Sequence, residues 1–270
     1  MARRIEVGPG VALSCEDSGR DGPAVLFIHG LGGSANSWLA QTEACRARGW
    51  RPISFDMRGA GRSERPPGPY SVEGWATDAV DLLDALGVDE VALVGHSVGS
   101  MVAEHAAHRL GDRATALAVI GGALAWRPEA ASVFIERIEL AMAGRMDEIA
   151  AMVAATGLSQ SRRDDDPRLL GLFREAIASN DPVAYAECTR ATAPARMLGP
   201  AALSCPLLAM CGSEDPVTPP VTAQAIVAEA GSGETAVVEG SAHWCAVEDP
   251  AQTSDLLLGW LAKSALESQF

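Results

Sequence analysis

Short apolar runs alternating with helical stretches constrain this chain more than any other feature. The runs are "AVLFIHG" (24–30), "RPISFDM" (51–57), "VALVG" (91–95), "ALAVIGGA" (116–123) and "CPLLAMCG" (205–212). A continuous apolar run of this length predicts a strand buried on both faces. Helical patterns separate the first four. "SWLAQTEACRARGW" reads as a helix with Gly49 near its end. "SVEGWATDAVDLLDALG" repeats Val72, Trp75, Val80, Leu83 and Leu86 at helical spacing, with Ser71 as cap and Gly87 as stop. A third helix runs from Ser97 to about Leu110. Such alternation implies a parallel sheet with helices on both faces. "RRIEV" and "VALSCED" add a leading hairpin around Gly8-Pro9-Gly10, and "ETAVVEG" adds a last strand. Helices are expected near 219–230 and from about Pro250 to Lys263. The expected fold is therefore α/β, with a mostly parallel, eight-stranded sheet.

The alternation breaks at about Trp126. From there to about Ala195 only helical segments appear: "PEAASVFIERIELAMAG", "MDEIAAMVAATG", "DPRLLGLFREAIASN" and "DPVAYAECTRATA". Strands then resume. Residues 126–195 are expected to form a helical cap inserted into a core made of 1–125 and 196–270.

The 270 residues carry a formal charge of −14, which argues against nucleic acid as a partner. No apolar run is long enough to span a membrane. Arg3 and Arg4 have no apolar stretch behind them that would mark an export signal. The six cysteines, Cys15, Cys45, Cys188, Cys205, Cys211 and Cys245, form no C-x-x-C pair. Buried thiols in a reducing compartment explain them better than disulfides or a metal. A cytoplasmic protein, monomeric or homodimeric, is the expectation.

Gly95-His96-Ser97-Val98-Gly99 lies where a buried strand becomes a helix. A serine there sits on a sharp turn that lifts its hydroxyl clear of the sheet, and glycines on both sides keep the turn uncrowded. A serine hydroxyl needs a base, and the base needs a carboxylate to orient it. Of the five histidines, only His243 follows the last strand, in the loop "EGSAHWCAVEDP". The carboxylate should lie on a loop at the same sheet edge. "CGSEDPVTPP" offers Asp215, which Pro216 constrains to an extended backbone, with Glu214 as the second choice. An oxyanion needs paired backbone N–H donors. Val98, directly after the serine, supplies one. Leu31, in the glycine-rich loop "HGLGGSANSW", is expected to supply the other.

These residues resemble the α/β-hydrolase superfamily across nearly the whole chain. "HGLGG", "DMRGAGRS", "GHSVG", "GSEDPVTP" and "GSAHW" occur in that family's order, as do serine, acid and histidine. "DMRGAGRS" (56–63) looks structural in the family, with Gly59 and Gly61 shaping a turn below the site. Ser100 departs from the pattern, since glycine often follows there. A serine nucleophile excludes the branches that use aspartate. The motif wording is similar to 3-oxoadipate enol-lactone hydrolases, lactonases and esterases. The resemblance implies hydrolysis of a small carboxylic ester or lactone through an acyl-enzyme on Ser97, with no metal or organic cofactor. Cofactor-free haloperoxidases (perhydrolases), C–C bond hydrolases and non-catalytic ligand receptors share the scaffold and stand as alternatives.

The expected pocket is apolar. Trp126, Phe134, Met142 and Met146 are its candidates from the cap; Leu31, Trp38, Met101 and Trp244 are its candidates from the core. A small, mostly neutral substrate is expected, because an acidic chain repels anions at long range. Arg127 and Arg190, near the cap's junctions, are the local counter-evidence, since either could meet a substrate carboxylate.

Overall fold

A computed structural model describes residues 2–267. Its centre is one eight-stranded sheet: β1 (Arg3–Gly8), β2 (Val11–Asp17), β3 (Ala24–Ile28), β4 (Arg51–Phe55), β5 (Val91–His96), β6 (Ala114–Ile120), β7 (Leu207–Gly212) and β8 (Glu234–Val238). The spatial order is β1-β2-β4-β3-β5-β6-β7-β8. β1 and β2 pair antiparallel, and β2 pairs antiparallel with β4; every other pair is parallel. β5 and β7 are buried along their whole length, as their unbroken apolar sequences require.

Helices cover both faces. α1 (Leu39–Ala47) and the last helix (Pro250–Glu267) close one, around Trp38, Cys45, Leu257 and Leu261. α2 (Val72–Ala85), α3 (Val98–Leu110) and α9 (Pro220–Ala230) close the other, around Trp75, Leu82, Met101 and Ile226. The predicted start of α2 holds: the Ser71 side chain accepts from the Gly74 N–H. The last helix runs past Lys263, the end expected from sequence, to Glu267.

Between β6 and β7 lie α4 (Ala130–Met142), α5 (Met146–Gly157), α6 (Gln160–Asp165), α7 (Pro167–Ala178) and α8 (Pro182–Thr192). Periodicity predicts four of them. It misses α6, because "QSRRDD" has no apolar residue to repeat; the helix rests instead on its Ser159 cap, which accepts from Arg162 N–H. α4, α5, α7 and α8 share a third apolar cluster around Ile149, Phe173 and Tyr185, and it closes on Trp244 from the core. The two chain crossings are tied together: Met197 N–H donates to Leu124 O at 2.8 Å, and Ala125 bridges Arg196. α3 clamps the returning segment ahead of β7. Buried Glu104 accepts from the Leu198 and Gly199 N–H groups, and the His105 ring meets Arg196 O at 3.0 Å.

The segment 56–63 braces the loop after β3. Asp56 is fully buried and accepts from the Ala35 N–H at 2.7 Å and the Arg62 N–H at 2.8 Å. Gly61, at φ 50°, leaves room for that carboxylate, since a Cβ there would stand 2.4 Å from its oxygen.

Candidate active site

Ser97 joins β5 to α3 with φ 56° and ψ −123°, the only positive-φ non-glycine residue described. A β-carbon in that region is strained, and the surroundings must hold it there. They do so through close approach. A Cβ on Gly95 would stand 2.2 Å from Gly99 O, and one on Gly99 would stand 2.4 Å from His29 O. The two glycines that flank the serine in sequence are therefore required by backbone contact. The Ser97 N–H donates to Ile120 O at 2.8 Å, which fixes the turn to the neighbouring strand.

The loop after β8 brings His243 over this turn. The Ser97 hydroxyl donates to His243 Nε2 at 3.1 Å, and His243 Nδ1–H donates to Asp215 Oδ2 at 2.8 Å. The structure thus brings Ser97, His243 and Asp215 into one chain of hydrogen bonds. Glu214 points elsewhere, exposed at the surface. Asp215 is held by its own loop: Oδ1 accepts from the Val217 and Thr218 N–H groups, and Oδ2 accepts from the Thr218 hydroxyl at 2.7 Å. Burial works against its charge. The electrostatic pull of His243 and the bonds from His243 and Thr218 outweigh it, and the carboxyl is held at about 2, below its ordinary 3.8. The Thr218 hydroxyl and amide thus both serve this carboxylate. Gly121, at φ 57°, makes room for the imidazole, since a Cβ there would lie 3.0 Å from His243 Cε1.

Beside the serine, Gly33 N–H donates to Gly30 O at 3.0 Å, closing a turn over Leu31 and Gly32. Gly32 has φ 78°, as the third position of a type II turn requires. Gly30 presses this turn against the Ser97 turn, where a Cβ would sit 3.0 Å from Ser97 Cβ. Among the described residues, neither the Leu31 nor the Val98 amide has an acceptor. Both border the serine.

Two buried histidines stiffen the floor. His96 Nε2–H donates to His243 O at 2.9 Å, and His29 Nδ1–H donates to Gly30 O at 2.8 Å. Burial lowers the pKa of both; for His96 burial and the nearby His243 charge bring it to about 3. The unfolded chain would protonate these rings near 6.5, so below that pH it binds more protons than the folded chain. Stability contributed by neutral His96 is full above about 6.5 and drains as pH falls toward 3. The melting temperature should therefore drop between pH 7 and pH 5, less steeply in His96→Asn. An unchanged or rising melting temperature over that range would contradict the assignment.

A cavity of about 260 Å³ opens over Ser97 and His243. Of the eight residues expected from sequence to form a pocket, Leu31, Trp126, Phe134 and Trp244 line this cavity. The other four candidates do not. Trp38 is buried on the opposite sheet face against Phe27, at a centroid distance of 5.2 Å. Met101 is fully buried beneath α3, which is enclosed along most of its length. Met146 faces the inserted helices' own cluster. Met142, at the end of α4, is 55% exposed. Helical spacing from Phe134 points to Arg137, one turn on, and Arg137 does line the cavity. Arg127 also borders it, exposed, donating to Pro216 O at 3.0 Å, while Arg190 pairs with Glu187 on the surface. A larger groove of about 580 Å³ runs beyond Trp244 and touches neither Ser97 nor His243.

The inserted helices bind the site's loops at three points. Trp244 N–H donates to Gly157 O at 2.8 Å, and the Asn180 amide donates to Gly32 O at 3.0 Å. Buried Glu248 accepts from Ser159 N–H with one oxygen and from Ala242 N–H, next to His243, with the other. Sequence reading missed Glu248, because nothing in "CAVEDP" distinguishes a bridging acid from a helix-end one. Among the described residues, no helix is long and apolar enough to cross a membrane, and no cluster of His, Cys, Asp or Glu could hold a metal. The six cysteines are unpaired, and five are buried.

The chain belongs to the alpha/beta hydrolase fold family, whose model matches residues 23–250. Known proteins resemble it over most of its length. "3-oxoadipate enol-lactonase 2" of Acinetobacter baylyi is 28% identical over 248 residues, 89% of each chain. A thermophilic esterase from Thermogutta terrifontis superposes with a TM-score of 0.88 at 28% identity, covering 98% of this chain and 99% of that one. A candidate carbamate hydrolase, RutD, of Caulobacter segnis is 42% identical over 118 residues, 43% of this chain; the match spans 44% of that relative's length.

Proposed function

We propose that this chain is a serine hydrolase of small carboxylic esters or lactones, acting through an acyl-enzyme on Ser97. The observation that carries the reading is the bonded sequence Ser97–His243–Asp215 at the floor of a cavity. In the first half-reaction Ser97 Oγ bonds to the substrate carbonyl carbon while its proton passes to His243 Nε2. The carbonyl electron pair moves to oxygen, which the Leu31 and Val98 amides stabilise. Asp215 keeps the imidazole in the tautomer that presents Nε2 and balances its charge. The tetrahedral centre collapses, His243 returns the proton to the departing alkoxide, and the ester C–O bond breaks. Water then repeats the sequence against the acyl-enzyme, releasing the acid and restoring Ser97. A lactone opens with both fragments still joined, so nothing leaves before water attacks.

In this account residues 126–195, which hold α4 to α8, act as a cap, and the 260 Å³ cavity limits the acyl group to a few carbons. The esterase and enol-lactonase relatives support the ester-bond class. The test is turnover of short-chain p-nitrophenyl esters and of small lactones by the purified protein, with chain length varied. Hydrolysis that falls off steeply beyond short acyl chains is expected. Absence of turnover on every ester and lactone would overturn the reading.

A further inference from the structure

We infer that Trp244 sets the acyl-chain limit of this site, because its indole is the partition between the cavity over Ser97 and the larger groove beyond. The inference rests on the ester-hydrolase reading above and names the residue that keeps the substrate short. Among the described residues, Trp244 alone lines both spaces. Its ring reaches from one to the other. A Cβ on Gly33, which lines the groove, would stand 3.0 Å from Trp244 Cη2. A Cβ on Gly157 would stand 2.8 Å from Trp244 Cδ1, at the opposite end of the indole. Gly157 directly follows Thr156, which lines the cavity with Val153. The long axis of the ring therefore spans the wall between the two spaces.

The partition is held on several sides. The Trp244 backbone N–H donates to Gly157 O at 2.8 Å, the ring packs on His96 at a centroid distance of 4.6 Å, and Phe173 meets it edge to face at 5.3 Å. Trp244 is buried, so its place is set by packing. The groove on its far side holds about 580 Å³ against the cavity's 260 Å³. It runs between α7 and the loop after β3, and Leu39, Leu169, Leu172, Phe173, Ile177 and Val247 give it an apolar wall. Leu39 and Leu172 are exposed there. An acyl chain that outgrows the cavity meets the indole and stops. With the indole gone, its outer methylenes would continue along Leu172, Phe173 and Ile177, and each methylene buried there adds binding.

The experiment compares p-nitrophenyl butanoate with p-nitrophenyl octanoate, which share a leaving group and differ only in acyl length. Wild type should prefer the butanoate in kcat/KM. Trp244→Ala should raise the octanoate-to-butanoate ratio by about tenfold or more. The ratio is the readout because loss of packing on His96 and Phe173 slows both esters alike. Trp244→Phe, a smaller ring, should give part of the rise, and it carries the test by itself if Trp244→Ala does not fold. Adding Ala176→Trp, which fills the groove from α7, to Trp244→Ala should return the ratio toward wild type. A ratio unchanged in the folded Trp244 variants would overturn the inference. So would a gain that Ala176→Trp leaves intact, or a wild type that already cleaves the octanoate as well as the butanoate. In each of these cases turnover of the butanoate by wild type, lost in Ser97→Ala, keeps the hydrolase reading standing. Failure of wild type to cleave either ester overturns that reading and this inference with it.

Discussion

Ser97→Ala is expected to fold normally and to lower kcat/KM for p-nitrophenyl acetate by about a thousandfold or more. The folding half of this expectation follows from the bonding. The Ser97 side chain has one partner, His243 Nε2, and the residue borders an open cavity. Removing the hydroxyl leaves no buried donor unsatisfied, because His243 retains its bond to Asp215. The change in stability should stay within about 0.5 kcal/mol, the usual range for a side chain outside the packed core. The kinetic half follows from the Ser97 turn. Among the described residues, Ser97 is the one non-glycine held at positive φ, and its oxygen lies on the histidine. Steady-state kinetics and a thermal melt on the same preparation check both. Residual activity above a thousandth of wild type, in a folded variant, would remove Ser97 from the reaction.

Asp215→Asn should cost a comparable amount, lowering kcat by up to about ten-thousandfold. An amide at this position can present its NH₂ to His243 Nδ1. The imidazole then carries its proton on Nε2, facing Ser97, and cannot accept the serine proton. Asp215 also accepts from two backbone N–H groups and the Thr218 hydroxyl, so the variant should lose some stability too. Glu214→Gln is the matched control. Its side chain is exposed, and kcat should stay within about threefold of wild type. The reverse outcome, a crippled Glu214→Gln beside an active Asp215→Asn, would reassign the acid.

The strands and the hydrogen-bonded group of Ser97, His243 and Asp215 were legible because each is marked by local chemistry. β3, β5 and β7 are buried on both faces and so cannot alternate. Gly95 and Gly99 must be glycine because backbone oxygens lie within 2.5 Å of where their side chains would begin. His243 and Asp215 could be chosen because each follows a strand that ends at the same sheet edge. The pocket was less legible, because a cavity wall is made by packing that periodicity cannot see. Met146 and Met101 have the composition of a pocket residue and the position of a core one. Arg137 has the reverse: a charged residue in "FIERIEL" reads as solvated, yet its helix turns it inward beside Phe134. Thr218 and Glu248 were illegible for a related reason, since both act on atoms brought close only by the fold.

The most direct test of the central claim is covalent labelling of the protein with a fluorophosphonate, read by intact mass and then by peptide mapping. A serine activated by His243 should take up one phosphonyl group per chain, and the modified peptide should carry it on Ser97. Labelling should vanish in Ser97→Ala and slow sharply in His243→Ala. An adduct on another residue, or labelling that Ser97→Ala retains, would contradict the account.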